Sequence, residues 1–169
     1  MSRKLTLKDC LIIHLERSLE RKPQVRKLKK DLPYRVKVVE AVDGSKPDND
    51  FSKSYIPRLL RPRYPFSLHP AEVACFQSHR KCWQEILDRS LEAALIVEDD
   101  VDIIDGEFTA AVKLAMKEIK MGDLIRLPMK PRERPRNKTV KRDNISIFEP
   151  TVIGLGTQAQ IVTYDAARQ

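Results

Sequence analysis

Ala93-Ala-Leu-Ile-Val97 runs straight into Glu98-Asp-Asp-Val-Asp102, so a short apolar run ends in a dense group of carboxylates. Carboxylates crowded this closely repel one another, and a cation or basic side chains must offset the repulsion. An apolar stretch bounded by acids reads as a strand buried on both faces, as in a parallel sheet between helices. In extended backbone, positions two apart lie roughly 6.5 Å from each other on one side. Glu98, Asp100 and Asp102 are therefore expected to share a face and hold one hard divalent cation, with Asp99 turned the other way unless the strand breaks there. A solvated acidic turn would be rich in Gly, Pro or Asn, whereas Val97 and Val101 flank these acids.

A second group lies in the segment Ala71 to Arg89, where Glu72, Cys75, His79, Cys82 and Ile86 recur at helical spacing on one stripe. Cys75, His79 and Cys82 imitate a zinc set. A structural zinc site draws two ligands from each of two elements, and the chain has no second Cys or His pair, so core packing is the expected role of the cysteines. His79 and Arg80, beside Phe76 and Trp83, are expected to be drawn inward and to need an anion or the acidic group as partner. A third group, Leu15-Glu-Arg-Ser18 with Arg21, follows an apolar run, and Asp43 follows another. Both belong at the C-terminal edge of the strands, where open α/β sheets bind ligands. A nucleotide there would meet Arg17 or Arg21 with its phosphates and Asp43 with its base or ribose. Neither Gly-x-Gly-x-x-Gly nor a phosphate loop occurs, and Gly154-Leu-Gly156 is too short to count, which argues against dinucleotide redox chemistry and phosphate-loop hydrolysis.

The elements that must position these residues are legible as alternating strands and helices. Cys10 to Leu15 reads as a first strand, followed by a basic helix with Val25, Leu28 and Leu32 on one face and Pro23 in its first turn. Tyr34 to Val42 reads as a second strand stopped at Asp43-Gly44-Ser45, which completes a βαβ unit. Lys46 to Leu68, rich in Pro, Arg and Tyr, is expected to be an extended surface loop, and Pro70 stands where a long helix can begin. Asp105 to Met121 predicts a helix with Phe108, Val112, Ala115, Met116 and Ile119 on one side, ended by Gly122. Asp123 to Leu127, Ile145 to Phe148 and Gln158 to Tyr164 read as strands, Lys130 to Asn144 as a mobile loop or hairpin arm, and Asp165 as the cap of a final helix start. The chain of 169 residues is one domain's worth, with no internal repeat.

Lys and Arg number 32 against 24 Asp and Glu, a net charge of +8. The basic residues gather in Arg17 to Arg35 and Arg126 to Arg142, opposite the acids of Glu92 to Glu107, which predicts an anionic partner. Nucleic acid, anionic lipid and phosphorylated small molecules would all serve. Lys130 to Asn144 carries no aromatic residue on which bases could stack, which disfavours nucleic acid. An odd set of three cysteines without an apolar leader, and no apolar run long enough for a membrane span, predict a soluble protein of the cytoplasm.

Taken together, Ile12-Ile-His-Leu-Glu-Arg-Ser18, Ala41-Val-Asp-Gly44, Glu72-Val-Ala-Cys-Phe-Gln-Ser-His-Arg80, Leu95-Ile-Val-Glu-Asp-Asp-Val101, Asp123-Leu-Ile-Arg-Leu127 and Gly156-Thr-Gln-Ala159 resemble glycosyltransferase family 25. This family comprises bacterial lipooligosaccharide galactosyl- and glucosyltransferases related to the collagen galactosyltransferases. The resemblance covers nearly the whole chain. It implies an α/β, Rossmann-like nucleotide-sugar transferase fold of GT-A type, a mostly parallel sheet with helices on both faces. It implies a UDP-sugar donor held around Leu15, Glu16, Arg17, Arg21, Asp43, His79, Arg80 and Asp99. It also implies Mn2+ or Mg2+ held by the acidic motif, and inverting transfer of a hexose to a lipid-linked oligosaccharide, with peripheral contact to anionic membrane and no nucleic acid. Asp123 is a guess at the base that takes the acceptor proton. The chain departs from the family pattern at His14, where Asn is usual, at Ala71, where Gly is usual, and near Gln160, where an aromatic is usual. Family members also continue beyond the point where this chain stops, so the single domain is expected to be shortened at its C-terminus. The alternatives are a metal-dependent nuclease or nucleic-acid-binding module, and a non-catalytic relative of the transferase fold.

Overall fold

The computed structural model describes residues 4–46, 55–56, 67–104, 106–127, 133–137, 139–154 and 156–169. Most of the proline-rich loop expected over Lys46 to Leu68, and part of the arm expected over Lys130 to Asn144, lie outside the described residues.

Strand β1 (Leu7–His14) is followed by a 3-10 turn at Leu19–Arg21 and by helix α1 (Lys22–Asp31), with Pro23 in the first turn, where no amide donor is needed. Val25, Leu28 and Leu32 turn inward from α1 and leave its Lys and Arg side chains outside. Strand β2 (Arg35–Glu40) returns parallel to β1 and completes the βαβ unit. Helix α2 (Pro70–Asp88) opens with a reciprocal cap in which Ala71 N–H donates to His69 Nδ1 and His69 N–H donates to Glu72 Oε2. Gly44 permits the approach of this helix: a Cβ there would stand 2.9 Å from the Pro70 carbonyl oxygen and 3.0 Å from Ala71 Cα. Ser78 fixes the contact further along, accepting a hydrogen bond from Val42 N–H at 2.8 Å.

Strand β3 (Ala93–Glu98) pairs parallel to β1, and Ala93 to Val97 are all buried, as a strand covered on both faces requires. Helix α3 (Glu107–Glu118) ends earlier than the periodicity suggested. Asp123 accepts from the Lys120 amide and Gly122 takes a left-handed φ of 87°, so a turn replaces the last helical residues. Strand β4 (Leu124–Arg126) then precedes a hairpin of β5 (Val140–Arg142) and β6 (Ile145–Ile147), closed at Asp143, the hairpin arm foreseen as one option. Strand β7 (Ala159–Thr163) and helix α4 (Tyr164–Ala167) end the chain. Thr163, not Asp165, caps that helix by accepting from Ala166 N–H; Asp165 falls within its first turn.

Among the described residues the main sheet has the order β2-β1-β3-β7-β4. The expected parallel arrangement holds for β2, β1 and β3, while β7 runs antiparallel between β3 and β4. The sheet is therefore mixed. A parallel neighbour needs a crossover, usually helical, and the described residues between β4 and β7 supply a hairpin instead. Helices cover both faces. Val25 and Leu28 of α1 and Val112 and Ala115 of α3 pack on Cys10, Ile12, Leu95, Val97 and Ile161. Cys82 and Ile86 of α2 pack on Leu11, Ile13, Ala94, Ile96 and Val162, with Ala166 and Ala167 of α4 beside them. Each fully buried Leu, Ile or Val contributes about 1.5–3 kcal/mol. No helix among the described residues is long and apolar enough to cross a membrane.

Candidate functional site

The C-terminal ends of β1, β2 and β3 stand side by side, since His14 pairs with Glu40 and Ile13 with Glu98. The segments that leave them carry the charged residues. Strand β3 ends at Glu98 and turns at Asp99-Asp100, so the alternation that would have set Glu98, Asp100 and Asp102 on one face stops before it can act. The turn sends Glu98 and Asp102 to separate partners, while Asp99 and Asp100 share Arg21.

Asp99 is the buried one, 4% exposed. Its Oδ2 lies 2.6 Å from His14 Nδ1, and its Oδ1 accepts from Arg21 at 2.7 Å. Asp100 is half exposed and meets Arg21 at 3.4 Å. Asp102 turns outward to Lys27 at 2.9 Å, with Gln24 donating to both Asp102 and the Val101 carbonyl. Glu98 Oε1 accepts from Thr157 Oγ1 at 2.7 Å and lies 3.0 Å from His79 Nε2. The acids are thus neutralised chiefly by neighbouring basic and polar groups drawn from several elements.

His79 is buried and Arg80 exposed, so only the histidine is drawn inward as expected. The Gln160 amide lies 2.7 Å from His79 Nδ1, which holds the ring between β7 and Glu98. Burial opposes the imidazolium, but hydrogen bonds to Cys75 and Glu98 and the charge of Glu98 outweigh it and carry the His79 pKa from 6.5 up to about 9. Burial pushes Glu98 upward, yet hydrogen bonds from His79 and Thr157 bring it below the ordinary carboxylate value. With both ring nitrogens protonated, the Gln160 amide presents its oxygen to Nδ1, a half-turn that leaves its shape unchanged.

Because the folded pKa of His79 exceeds its unfolded value, the ion pair stabilises fully below the unfolded pKa of 6.5, and that contribution fades as pH rises through about 9. Urea unfolding in chelator-treated buffer should therefore show the wild type losing about 3 kcal/mol more than His79→Gln across that window. Parallel pH profiles for the two proteins would disprove the charged pair.

Asp43 sits at the end of the second strand as anticipated. Its carboxylate accepts from the Ser45 hydroxyl at 2.7 Å, from the Ser45 amide at 2.9 Å, and from Arg17 at 2.8 Å. The Ser45 hydroxyl and amide hold its pKa down to about 2 against the opposing effect of burial, with Arg17 adding to the lowering. Leu15, Glu16 and Arg17 form one wall of a cleft of about 420 Å³, and Ala41, Val42, Asp43, Lys46 and Lys81 another. A larger hollow of about 910 Å³ lies on the other side of the acidic turn, between Val101 to Ile104, α3, β4 and the β5–β6 hairpin. Both volumes are in the range of small-molecule sites.

Asp123 is at the other edge of the sheet. Thr163 N–H donates to its carbonyl, and Thr163 pairs with Ala93, the first residue of β3, whereas Glu98 is the last. Five residues of strand separate those levels by roughly 16 Å, so the guess that Asp123 serves as base at the acidic turn is not met by this placement. Leu15, Glu16, Arg17, Arg21, Asp43 and Asp99 are brought to one edge, with His79 behind Glu98. Sequence reasoning missed Thr157 and Gln160. The signal available for Gln160 was a polar residue inside the apolar run Ala159-Gln-Ile-Val162.

Cys10 and Cys82 are core residues, as expected, and burial pushes both thiols up to about 12. Cys75 is exposed and departs from that expectation. Among the described residues, the set of three metal-ligand side chains that converges is Cys75, His79 and Glu98, not Glu98, Asp100 and Asp102.

A profile of "Glycosyltransferase family 25 (LPS biosynthesis protein)" matches residues 8–169. The chain belongs to glycosyltransferase family 25. Procollagen galactosyltransferase 2 of Mus musculus is 32% identical over 125 residues, covering 72% of this chain and 20% of that protein. The Homo sapiens protein of the same name is 35% identical over 102 residues, 58% of this chain and 16% of its own length. Inactive glycosyltransferase 25 family member 3 of Mus musculus is 30% identical over 121 residues, 69% of this chain and 20% of that protein. The chain thus spans about a fifth of the length of these animal relatives, and members of the family named as inactive are nearly as similar as those named as transferases.

The family implies a divalent metal, and the acidic turn is where its fit must be judged. A cage of Glu98, Asp100 and Asp102 does not fit, because Glu98 is held by His79 and Thr157 and Asp102 by Lys27. Asp100 alone, half exposed beside Arg21, fits a hard cation that brings its remaining oxygens with a phosphate ligand. Mg2+-type sites are commonly built that way, from one or two carboxylates plus substrate oxygens.

Proposed function

We propose that this chain is the donor-binding unit of a family 25 hexosyltransferase of GT-A type, taking galactose or glucose from a UDP-sugar. The observation that carries the reading is the clamped acidic turn. Asp99, fixed by His14 and Arg21, presents Asp100 at the C-terminal edge of the parallel strands, the edge at which Leu15 to Arg17 and Ala41 to Asp43 line the 420 Å³ cleft. Open α/β sheets bind nucleotides at that edge.

The nucleoside fills the cleft between Leu15–Arg17 and Asp43, and its diphosphate extends toward Arg21. Arg17 and Arg21 are half-exposed partners of Asp43 and Asp99. Each guanidinium has donors beyond those it gives its acid and keeps about half of its side chain in water, so it can bind a phosphate without releasing the pair. Asp100 supplies the protein's oxygen ligand to Mn2+ or Mg2+. When bound, that cation neutralises charge growing on the departing diphosphate. Asp99 does not touch the donor; it positions Arg21 and the turn. Arg80, exposed on α2, and the basic outer face of α1 offer contacts to a lipid-linked, anionic acceptor at a membrane surface. The acceptor saccharide enters the 910 Å³ hollow from the opposite side of the turn; its hydroxyl oxygen bonds to the anomeric carbon in line as the bond to UDP breaks, which inverts that centre, and a general base takes the hydroxyl proton.

A second reading, donor binding without turnover, is favoured by the similarity to members named as inactive. Calorimetric titration of UDP with and without Mn2+ tests the donor site that both readings share. Binding that requires Mn2+ is the expected result, and absence of binding in both conditions would reject it. Release of UDP from UDP-galactose or UDP-glucose then separates a transferase from a binding relative.

A further inference from the structure

We propose that Cys75, His79 and Glu98 form a binding site for one zinc-class divalent ion, separate from the cation expected at Asp100. The three donor atoms lie within 4.8 Å of one another. Cys75 and His79 are one turn apart on α2 and so share a face, while Glu98 reaches them from the end of β3. A thiolate, an imidazole and a carboxylate make a mixed set that suits zinc, with a fourth position left for water or a ligand. Manganese and magnesium prefer oxygen alone.

The surrounding contacts are those a zinc ligand set needs. Gln160 occupies His79 Nδ1 at 2.7 Å, which leaves Nε2, 3.0 Å from Glu98 Oε1, as the nitrogen that faces the other donors. A metal-bound histidine characteristically gives its second N–H to such a partner, which fixes ring and tautomer. Thr157 does the same for Glu98, donating to Oε1 at 2.7 Å. Bond lengths of about 2.0–2.2 Å around a tetrahedral ion place nitrogen and oxygen ligands roughly 3.3 Å apart, so the observed pair need open by only a few tenths of an ångström. His79 is 2% exposed, but Cys75 is exposed, and the ion enters from the Cys75 side. On binding, the ion displaces the protons of the Cys75 thiol and of His79 Nε2 to solvent, and it ties α2 to β3 at the residue before Asp99.

Cobalt is the spectroscopic substitute for zinc. One equivalent of Co2+ added to the full chain should produce a sulfur-to-cobalt charge-transfer band and tetrahedral visible bands, both removed by one equivalent of Zn2+. The charge-transfer band should vanish in Cys75→Ser and weaken at least tenfold in intensity at equal cobalt in His79→Gln. It should persist in Asp100→Ala, so the site stands or falls independently of the donor-site reading. In the unaltered protein, Zn2+ should slow alkylation of Cys75, located by peptide mass analysis, at least tenfold, which keeps the test free of any folding defect in a variant. A cobalt spectrum without the sulfur band, a band that survives in Cys75→Ser, or alkylation of Cys75 at the same rate with and without Zn2+ would each overturn the proposal.

Discussion

Asp100→Ala is expected to abolish Mn2+-dependent UDP binding while leaving the fold in place. The residue is half exposed and its charged contact among the described residues is Arg21 at 3.4 Å, so its removal takes little from the folded state and lessens the repulsion within the acidic turn. Its effect on a diphosphate ligand is of a different size. A metal that bridges protein and phosphate supplies several kcal/mol, and loss of its protein ligand should weaken UDP by roughly 100-fold or more. Calorimetry on wild type and variant, with matched unfolding curves, measures both halves of the claim. UDP affinity within a factor of about two of wild type would remove Asp100 from the site.

Asp99→Ala acts in the opposite sense, on stability first. Asp99 is buried between His14, itself nearly buried, and Arg21, which keeps almost half its side chain in water. Removing the acid leaves the buried His14 Nδ1 without its hydrogen-bond partner, and an unsatisfied buried group of this kind costs about 1–3 kcal/mol. Because water can still solvate Arg21, the expected loss is about 2 kcal/mol, within that range. Asp99→Asn should lose less, since an amide oxygen still accepts from one of the two donors. Urea unfolding at neutral pH gives both values, and a change below about 1 kcal/mol in Asp99→Ala would mean that the clamp does not hold the turn. With the turn loosened, UDP affinity should fall as well, although Asp99 makes no contact with the nucleotide.

Much of the scaffold was legible because periodicity records burial. The run Leu11 to Ile13 and the run Ala93 to Val97 are apolar on both sides of the strand, and both are buried in the centre of the sheet. Val25, Leu28 and Leu32, and likewise Val112, Ala115 and Ile119, mark the inner faces of α1 and α3 at helical spacing. Strand direction was not legible. Ala159 to Val162 has the same apolar character whether it runs with β3 or against it, and the hairpin that precedes it, not its own composition, made it antiparallel.

The acidic turn shows the same division at the level of chemistry. Residue types and the break from apolar to charged placed carboxylates at the end of a buried strand, at the same edge as Leu15 to Arg21 and Asp43. Which acid does what was decided in three dimensions. A change of one residue in where β3 stops moves a side chain from one face to the other, so Asp99 became the buried anchor, Asp102 left for Lys27, and Glu98 turned to His79. Cys75 illustrates it from the other side. Along the chain it pairs with Cys82 at helical spacing on one stripe, but Cys75, nearer the start of α2, is exposed while Cys82 is in the core. The third group that completes its cluster comes from a strand that local pattern cannot place beside it. Spacing within an element is set by backbone geometry and is written in the sequence; proximity between elements arises from the packing of the whole sheet and its helices, and only the folded chain contains it.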